Sequence, residues 1–558
     1  MSHTQEKLAI TPKVESPFLV FGLSGRLGSG CTFVGDKLNQ CLTMFDYEVE
    51  LVDVADVFLK EHDRYLSKAG RTSGDSVDPK ASNVVPNHSV RETPHEEPIK
   101  PVDRVREYQK RGNLLRQAYG NDVMAALCVS EVLFPHIQKT NSGLSKRQAL
   151  IIDSLKHPAE VDLLRSIFGS SFYMVGVVAN DRKRMDRLRE RKGFDERTFQ
   201  ELSDIDANES GQEHGQQTIK TVTKADYFFA NDYATKDEIF IEAERLMKLI
   251  FGIGIQSPRR DEIGMQLAYK AAARSACLSR QVGAAILDGA GNLLSTGHND
   301  VPKFRGGLYG PDPGSGDKRC WASGGKCYND EEKQLITEDL MASIDKVVDE
   351  SFDELFEALN AQGILREPID DSKKSYDSHK AIMKSRISQS VQNTRIRNLI
   401  EFTRAVHAET DAIITVARTA TPGIVGSTLY CTTYPCHSCA KHIVDAGIVE
   451  VIYLEPYEKS LARKLHSDTI NDPLQEKQEK KVQFNLYGGV GPSRYDLFFY
   501  SKPDERKQNG KYYDKDRQRT RLMPIGAEES SVLLARIRRV ADEMEAKIER
   551  FDVDAIVD

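Results

Sequence analysis

Along the first half of the chain, apolar residues fall into short runs separated by polar, glycine-bearing turns. Phe18-Leu19-Val20-Phe21-Gly22-Leu23 predicts a buried strand. Helical spacing follows to Cys41, then a second strand within Glu48–Phe58, where Val49, Leu51, Val52 and Val54 are apolar. Ala149–Asp153 and Phe172–Ala179 predict further buried strands, Ala225–Asp232 predicts a last strand and turn, and Ala159–Phe168 and Lys236–Phe251 have helical spacing. Strands alternating with helices imply a parallel sheet with helices on both faces. Residues 67–100 are rich in Ser, Pro, Asp, Asn and His without periodicity and read as a flexible loop.

The second half changes pattern. Asp261–Ala276 has helical spacing, Val282–Leu287 and Leu293–Gly297 flank the turn Asp288-Gly289-Ala290-Gly291-Asn292, and the three together predict a strand pair. Thr410–Ala417 reads as a helix, Gly426–Thr433 as a strand, Ser438–Ala446 as a helix and Val449–Leu454 as a strand. Between them lies a long insertion, 303–400, with helical spacing over Glu338–Leu359 and Ser378–Val406. Ser530–Arg550 predicts a closing helix.

Composition narrows the class. A chain of 558 residues holds two or more domains, and 39% hydrophobic with 29% charged residues is ordinary for a globular protein. Met1–Pro17 is polar, without the apolar core of a signal peptide, and no apolar run approaches membrane-spanning length. Nine cysteines, unevenly spread, fit a reduced cytoplasm in which thiols bind metal. A formal net charge of −7 gives no support to a duplex-binding enzyme.

Two runs carry chemistry. His407-Ala408-Glu409 and Pro435-Cys436-His437-Ser438-Cys439 offer one imidazole and two thiolates, three ligands for tetrahedral Zn²⁺ with the fourth position left for water. Zn²⁺ lowers the pKa of that water, and Glu409, two residues from the His, can shuttle its proton. Both runs open predicted helices, and together they form the H-x-E…P-C-x-x-C signature of zinc nucleobase deaminases. Cys436 and Cys439 alone would more often be half of a zinc knuckle or a redox pair.

A glycine-rich turn, Ser24–Phe33, joins the first strand to the first helix. Gly25, Gly28, Gly30 and Thr32 suit a P-loop, and Asp153 ends its strand as a Walker B acid does. Cys31 stands where a P-loop has its Lys, so a nucleotide with Mg²⁺ is expected here but phosphoryl transfer is not. Asp181–Arg191 is a strongly basic helix, either a solvated face, a phosphate-clamping lid or an RNA contact.

The run Cys277-Leu278-Ser279-Arg280-Gln281-Val282-Gly283-Ala284, then Gly297-His298-Asn299-Asp300-Val301-Pro302, then the two metal-binding runs, is similar to deoxycytidylate deaminases. With a P-loop domain in front, the whole chain resembles the bacterial anti-phage dCTP deaminases. The resemblance implies an α/β protein over two domains. A P-loop kinase-like parallel sheet occupies 17–255 after a flexible tail, 1–16. A cytidine deaminase-like α/β/α sandwich occupies 256–558. It implies deamination of free dCTP and dCMP to the uracil forms, depleting phage of DNA precursors, with a homo-oligomer, often a hexamer, and an inhibitory small RNA from the same locus. It assigns Asn299 to the sugar, with Arg280, Lys459 and Arg494 as further substrate contacts; Arg463 is also a phosphate candidate. Some relatives hold a second, structural zinc, for which Cys277, Cys320 and Cys327 are candidates. The rival readings are a deaminase of RNA or DNA bases, and a P-loop nucleotide-binding regulator with a deaminase-like module.

Overall fold

Every residue of the first strand, β1 (Leu19–Gly25), is buried, which demands cover on both faces of its sheet. The computed structural model describes residues 17–57, 59, 101–140, 147–209, 213–232, 235–311, 316–364, 369–392, 394, 396, 399–457, 460–471, 480–500, 507–508, 511–512, 524 and 529–550. The expected tail 1–16 and loop 67–100 lie outside them. Among the described residues no helix is long and apolar enough to cross a membrane.

The chain divides into two compact units. The first comprises 1–266, 450–456 and 467–558; the second comprises 267–449 and 457–466. In the first unit, β1 pairs in parallel with β3 (Gln148–Asp153) and β4 (Phe172–Val178). β2 (Glu48–Asp53) joins β3, and β5 (Tyr227–Ala230) joins β4, both in parallel. Leu19, Phe21 and Leu23 alternate inward with Val175 and Val177 and pack under the helices α1 (Cys31–Thr43) and Lys236–Phe251. The parallel sheet therefore has the form that the strand–helix alternation predicts.

The C-terminal part departs from the expected boundary at 256. A two-residue strand, Gly489–Val490, pairs antiparallel with β5 and extends the first sheet's edge. Leu533, Ile537, Ala541 and Met544 of the helix Ser530–Arg550 are buried, and Arg536 donates to the Ile167 carbonyl at 3.0 Å. Apolar burial and backbone pairing place this segment with the first unit, although it follows the deaminase motifs in sequence.

In the second unit β6 (Gly283–Leu287) pairs antiparallel with β7 (Leu293–His298) on one side and β8 (Thr428–Thr433) on the other. Register assigns the faces. Gly297 lies opposite Ala284, so Gly283 points to the other face. A Cβ on Gly283 would meet the backbone of Ala268 and Ala272, whereas one on Gly297 would meet the backbone of Ala408 and Ala412. Each glycine thus lets one helix sit directly on the strands, and helices cover both faces, as in an α/β/α sandwich. The insertion forms two long helices, α2 (Tyr328–Ala361) and α3 (Ile369–Gln392). The second ends well before the expected Val406, and 399–407 runs as irregular chain.

Gly297→Val would push the helix that starts at Ala408 off its strand. Backbone in the way cannot rotate aside, so the change should cost about 2 kcal/mol or more. Denaturant unfolding together with zinc content per chain should show both falling.

Candidate functional site

The metal-binding motif is built from two helix starts. His407 is the N-cap of α4 (Ala408–Thr419) and Cys436 is the N-cap of α5 (His437–Asp445), each in extended backbone conformation. An N-cap side chain sits beside the unpaired N–H groups of the first turn. Cys436 Sγ accepts from the Cys439 backbone N–H at 3.4 Å. Cys439 stands one turn inside the same helix, so both thiols project from one end. His407 Nδ1 lies 3.2 Å from Cys436 Sγ and 3.4 Å from Cys439 Sγ. The three donor atoms lie within 4.8 Å of one another, the one such cluster among the described residues.

The donor set fits zinc. One imidazole nitrogen and two sulfurs suit a borderline-soft ion, and three ligands are the number a catalytic site uses. A hydrogen bond from Cys439 holds the Cys436 thiol well below the usual range, against the effect of burial and with help from His407. That favours the thiolate that a metal requires. Cys439 is raised in the same arrangement, first by its bond to Cys436 and then by burial.

Glu409 sits in the first turn of α4 and is 4% exposed. Its Oε2 lies 3.5 Å from Cys439 Sγ. Burial raises its pKa, and His407 opposes the rise. A carboxyl group beside the metal ligands can both accept and return a proton. His407, Glu409 and Cys436 line one cavity of about 560 Å³, within the size range of small-molecule sites.

Asn299 and Arg280 line the same cavity. Asn299 is buried, accepting from the Val282 N–H at 2.7 Å and donating to the Arg280 carbonyl at 2.8 Å. It therefore holds the Arg280–Val282 turn against the site. The Arg280 guanidinium lies over the Tyr457 ring at 5.9 Å. The Arg463 guanidinium lies 5.4 Å from the Tyr434 ring. Lys459 lies outside the described residues. Arg494 belongs to the first unit, where it donates to buried Asp226 at 3.0 Å and to the Phe172 carbonyl at 3.0 Å. Asp226 also accepts from Arg165 at 2.8 Å and from the Met174 N–H at 2.8 Å. These bonds commit the Arg494 guanidinium to Asp226 and the Phe172 carbonyl, and Arg494 is not among the residues that line the cavity.

Cys277, Cys320 and Cys327 are half-buried thiols. Burial, with the other two thiols adding to it, raises the Cys320 pKa. Their sulfurs do not reach the spacing of the His407 cluster. Cys327 Sγ lies 3.5 Å from Ser279 Oγ. The cavity also holds residues that the motifs did not point to, Asn329 and Lys333, from the start of α2. Their one-turn spacing on a helix was the only signal available in sequence.

In the first unit, Gly28 and Gly30 both take left-handed backbone, with φ of 84° and 95°, which side chains other than glycine resist. Thr32 Oγ1 donates to Asp153 Oδ2 at 2.6 Å, bringing the loop hydroxyl and the strand-end acid together. Lys156 bonds the Gly25 carbonyl at 2.9 Å and Asp206 at 2.7 Å, and Asp206 accepts from the Leu27 N–H at 2.8 Å. Arg187 from the basic helix donates to the Ser29 carbonyl at 3.0 Å, and Arg184 donates to the Leu27 carbonyl at 2.9 Å. Part of that helix's charge is therefore spent on the loop itself. Burial pushes the Cys31 thiol up to about 12, so it stays neutral and offers no cation.

Residues 258–455 match the family model described as "Cytidine and deoxycytidylate deaminase zinc-binding region". A UPF0200 protein of Saccharolobus islandicus is 31% identical over 134 residues, which are 24% of this chain and 62% of that protein, so the match spans under two thirds of that relative. The deoxycytidylate deaminase of Enterobacteria phage T4 is 28% identical over 198 residues, 35% of this chain and 78% of that protein. The deoxycytidylate deaminase of Enterobacteria phage T2 is 44% identical over 55 residues, 10% of this chain and 29% of that protein. Among solved structures, the dCMP deaminase of cyanophage S-TIM5 in complex with dCMP and dUMP aligns over 42% of this chain and 99% of its own, at 18% identity and a TM-score of 0.20. The chain carries a deoxycytidylate deaminase-like domain with a His-Cys-Cys site of the kind that holds zinc.

Proposed function

We propose that the protein hydrolytically deaminates free deoxycytidine nucleotides, dCTP and dCMP, to dUTP and dUMP with release of ammonia, and that the resulting loss of dCTP limits phage DNA synthesis. The observation that carries this reading is the His407, Cys436 and Cys439 cluster, of which His407 and Cys436 line one cavity of small-molecule size together with buried Glu409. Zinc held by the three ligands would supply an acidified water and a Lewis acid. With zinc bound, Glu409 would take a proton from the attacking water and give it to cytosine N3 as the C4–O bond forms; it would then carry the C4 hydroxyl proton to the exocyclic amine, so that the C4–N bond breaks to leave ammonia and the C4 carbonyl. Asn299, by holding the Arg280–Val282 turn, keeps that wall of the cavity in place for the sugar. A net charge of −7 favours a free nucleotide over a nucleic-acid polymer. Oligomerisation and an inhibitory RNA from the same locus belong to the same proposal.

In the first unit, the contact between Thr32 and Asp153 favours a nucleotide with Mg²⁺ bound for regulation. Neutral, buried Cys31 argues against phosphoryl transfer there.

Glu409→Ala should keep zinc and fold but lose turnover by about a hundredfold to ten-thousandfold, the usual worth of general acid–base catalysis. Product mass from dCTP and dCMP, beside zinc content, checks it, and full activity would remove Glu409 from the chemistry. Cys436→Ala should lose metal and activity together. Turnover by a zinc-free Cys436→Ala protein would refute the metal role. For the first unit, equilibrium dialysis with Mg²⁺ and labelled nucleoside triphosphates should show binding that Thr32→Ala weakens. Equal binding by both proteins would remove that site.

A further inference from the structure

The catalytic cavity contains a cation supplied neither by the motifs nor by the family resemblance. Lys333, on α2, lines it together with His407, Glu409 and Cys436. We infer that Lys333 binds the 5′-phosphates of the nucleotide and sets the enzyme's preference for phosphorylated substrates. The inference rests on the nucleotide-deaminase reading and names the part of the substrate that the insertion reads.

Three observations support it. First, the lysine is held in place. Its Nζ lies 2.7 Å from Asp330, and its side chain is only 20% exposed. Second, the helix that bears it is anchored to the metal ligand's own segment. Asn329 donates from Nδ2 to the Leu399 carbonyl at 3.0 Å and accepts from the Phe402 N–H at 3.3 Å. Residues 399–402 lead directly to His407, and Asn329 is one helical turn from Lys333. The clamp therefore fixes the ammonium relative to the metal site.

Third, the charges are suitably arranged. Arg280 and Lys333 are the cations that line the same cavity. A guanidinium offers a planar fork to phosphate, and an ammonium adds a compact charge with three donors. Asp330 directs the ammonium until phosphate oxygens compete for the same donors.

The test is steady-state kinetics of zinc-loaded wild type, Lys333→Gln and Lys333→Arg on dCTP, dCMP and deoxycytidine, which lacks phosphate. Lys333→Gln should raise KM for dCTP and dCMP by about ten- to a hundredfold, the range of a charge-assisted hydrogen bond. Its kcat should hold, KM for deoxycytidine should not change, and Lys333→Arg should recover most of the loss. An unchanged KM for dCTP, or an equal loss with deoxycytidine, would overturn the assignment. Calorimetric titration of dUTP against deoxyuridine reads the same preference without turnover. A wild type inert towards dCTP and dCMP would remove the deaminase reading, while the Lys333 assignment would still be decided by whether Lys333→Gln loses dUTP affinity.

Discussion

Two helix N-termini meeting at one point are the constraint on which the deaminase-like domain depends. His407 and Cys436 both occupy N-cap positions, where the backbone turns from extended to helical and the side chain faces the open end of the helix. Ligands placed this way need no long flexible reach. The positive end of each helix dipole also favours the thiolate over the thiol. Everything nearby keeps those two ends in register. Gly297 lets α4 lie directly on β7, and the Cys439 N–H ties the α5 start to the Cys436 sulfur.

Much of this was legible in the chain because the chemistry is local. His407-Ala408-Glu409 and Pro435-Cys436-His437-Ser438-Cys439 each place their side chains within a single helical turn, so spacing alone reports geometry. The strand–helix alternation of the first half was legible for the same reason, since short apolar runs bounded by turns leave few alternatives. The Gly-rich turn joins β1 to α1, with Gly28 and Gly30 in left-handed backbone and Thr32 against Asp153.

What stayed hidden depends on long-range partners. Arg494 follows a glycine–proline turn and reads equally well as a ligand contact. Its partner Asp226, 268 residues away in sequence, decides its role. The helix Ser530–Arg550 has clear amphipathic spacing, but spacing does not say which unit its apolar stripe covers. Only the burial of Leu533 and Ile537 and the bond from Arg536 to Ile167 settle that it belongs to the first unit. The end of α3 escapes the sequence pattern for a similar reason. Helical spacing continues towards Val406, yet the Asn329 bonds to Leu399 and Phe402, and the bridge between Asp300 and Val406, draw that stretch out of a helix.

The insertion shows how these two kinds of information combine. Most of α2 and α3 is held by contacts within the pair. Lys380 and Lys384 reach Asp349, and Tyr376 lies 5.2 Å from both Phe352 and Phe356. Val348 is the one buried residue among the described side chains of α2. A helix pair so lightly buried draws its stability from its own ion pairs and ring contacts, and its far end is free to vary without disturbing the metal site. Its first turns are not free in this way. Asn329 is bonded to the chain that delivers His407, and Lys333 stands in the cavity that holds Glu409. An insertion so attached adds side chains to the lining of the cavity without altering His407, Glu409 or Cys436. The short motifs therefore describe only part of the cavity's lining, and the rest comes from a segment that spacing alone does not point to.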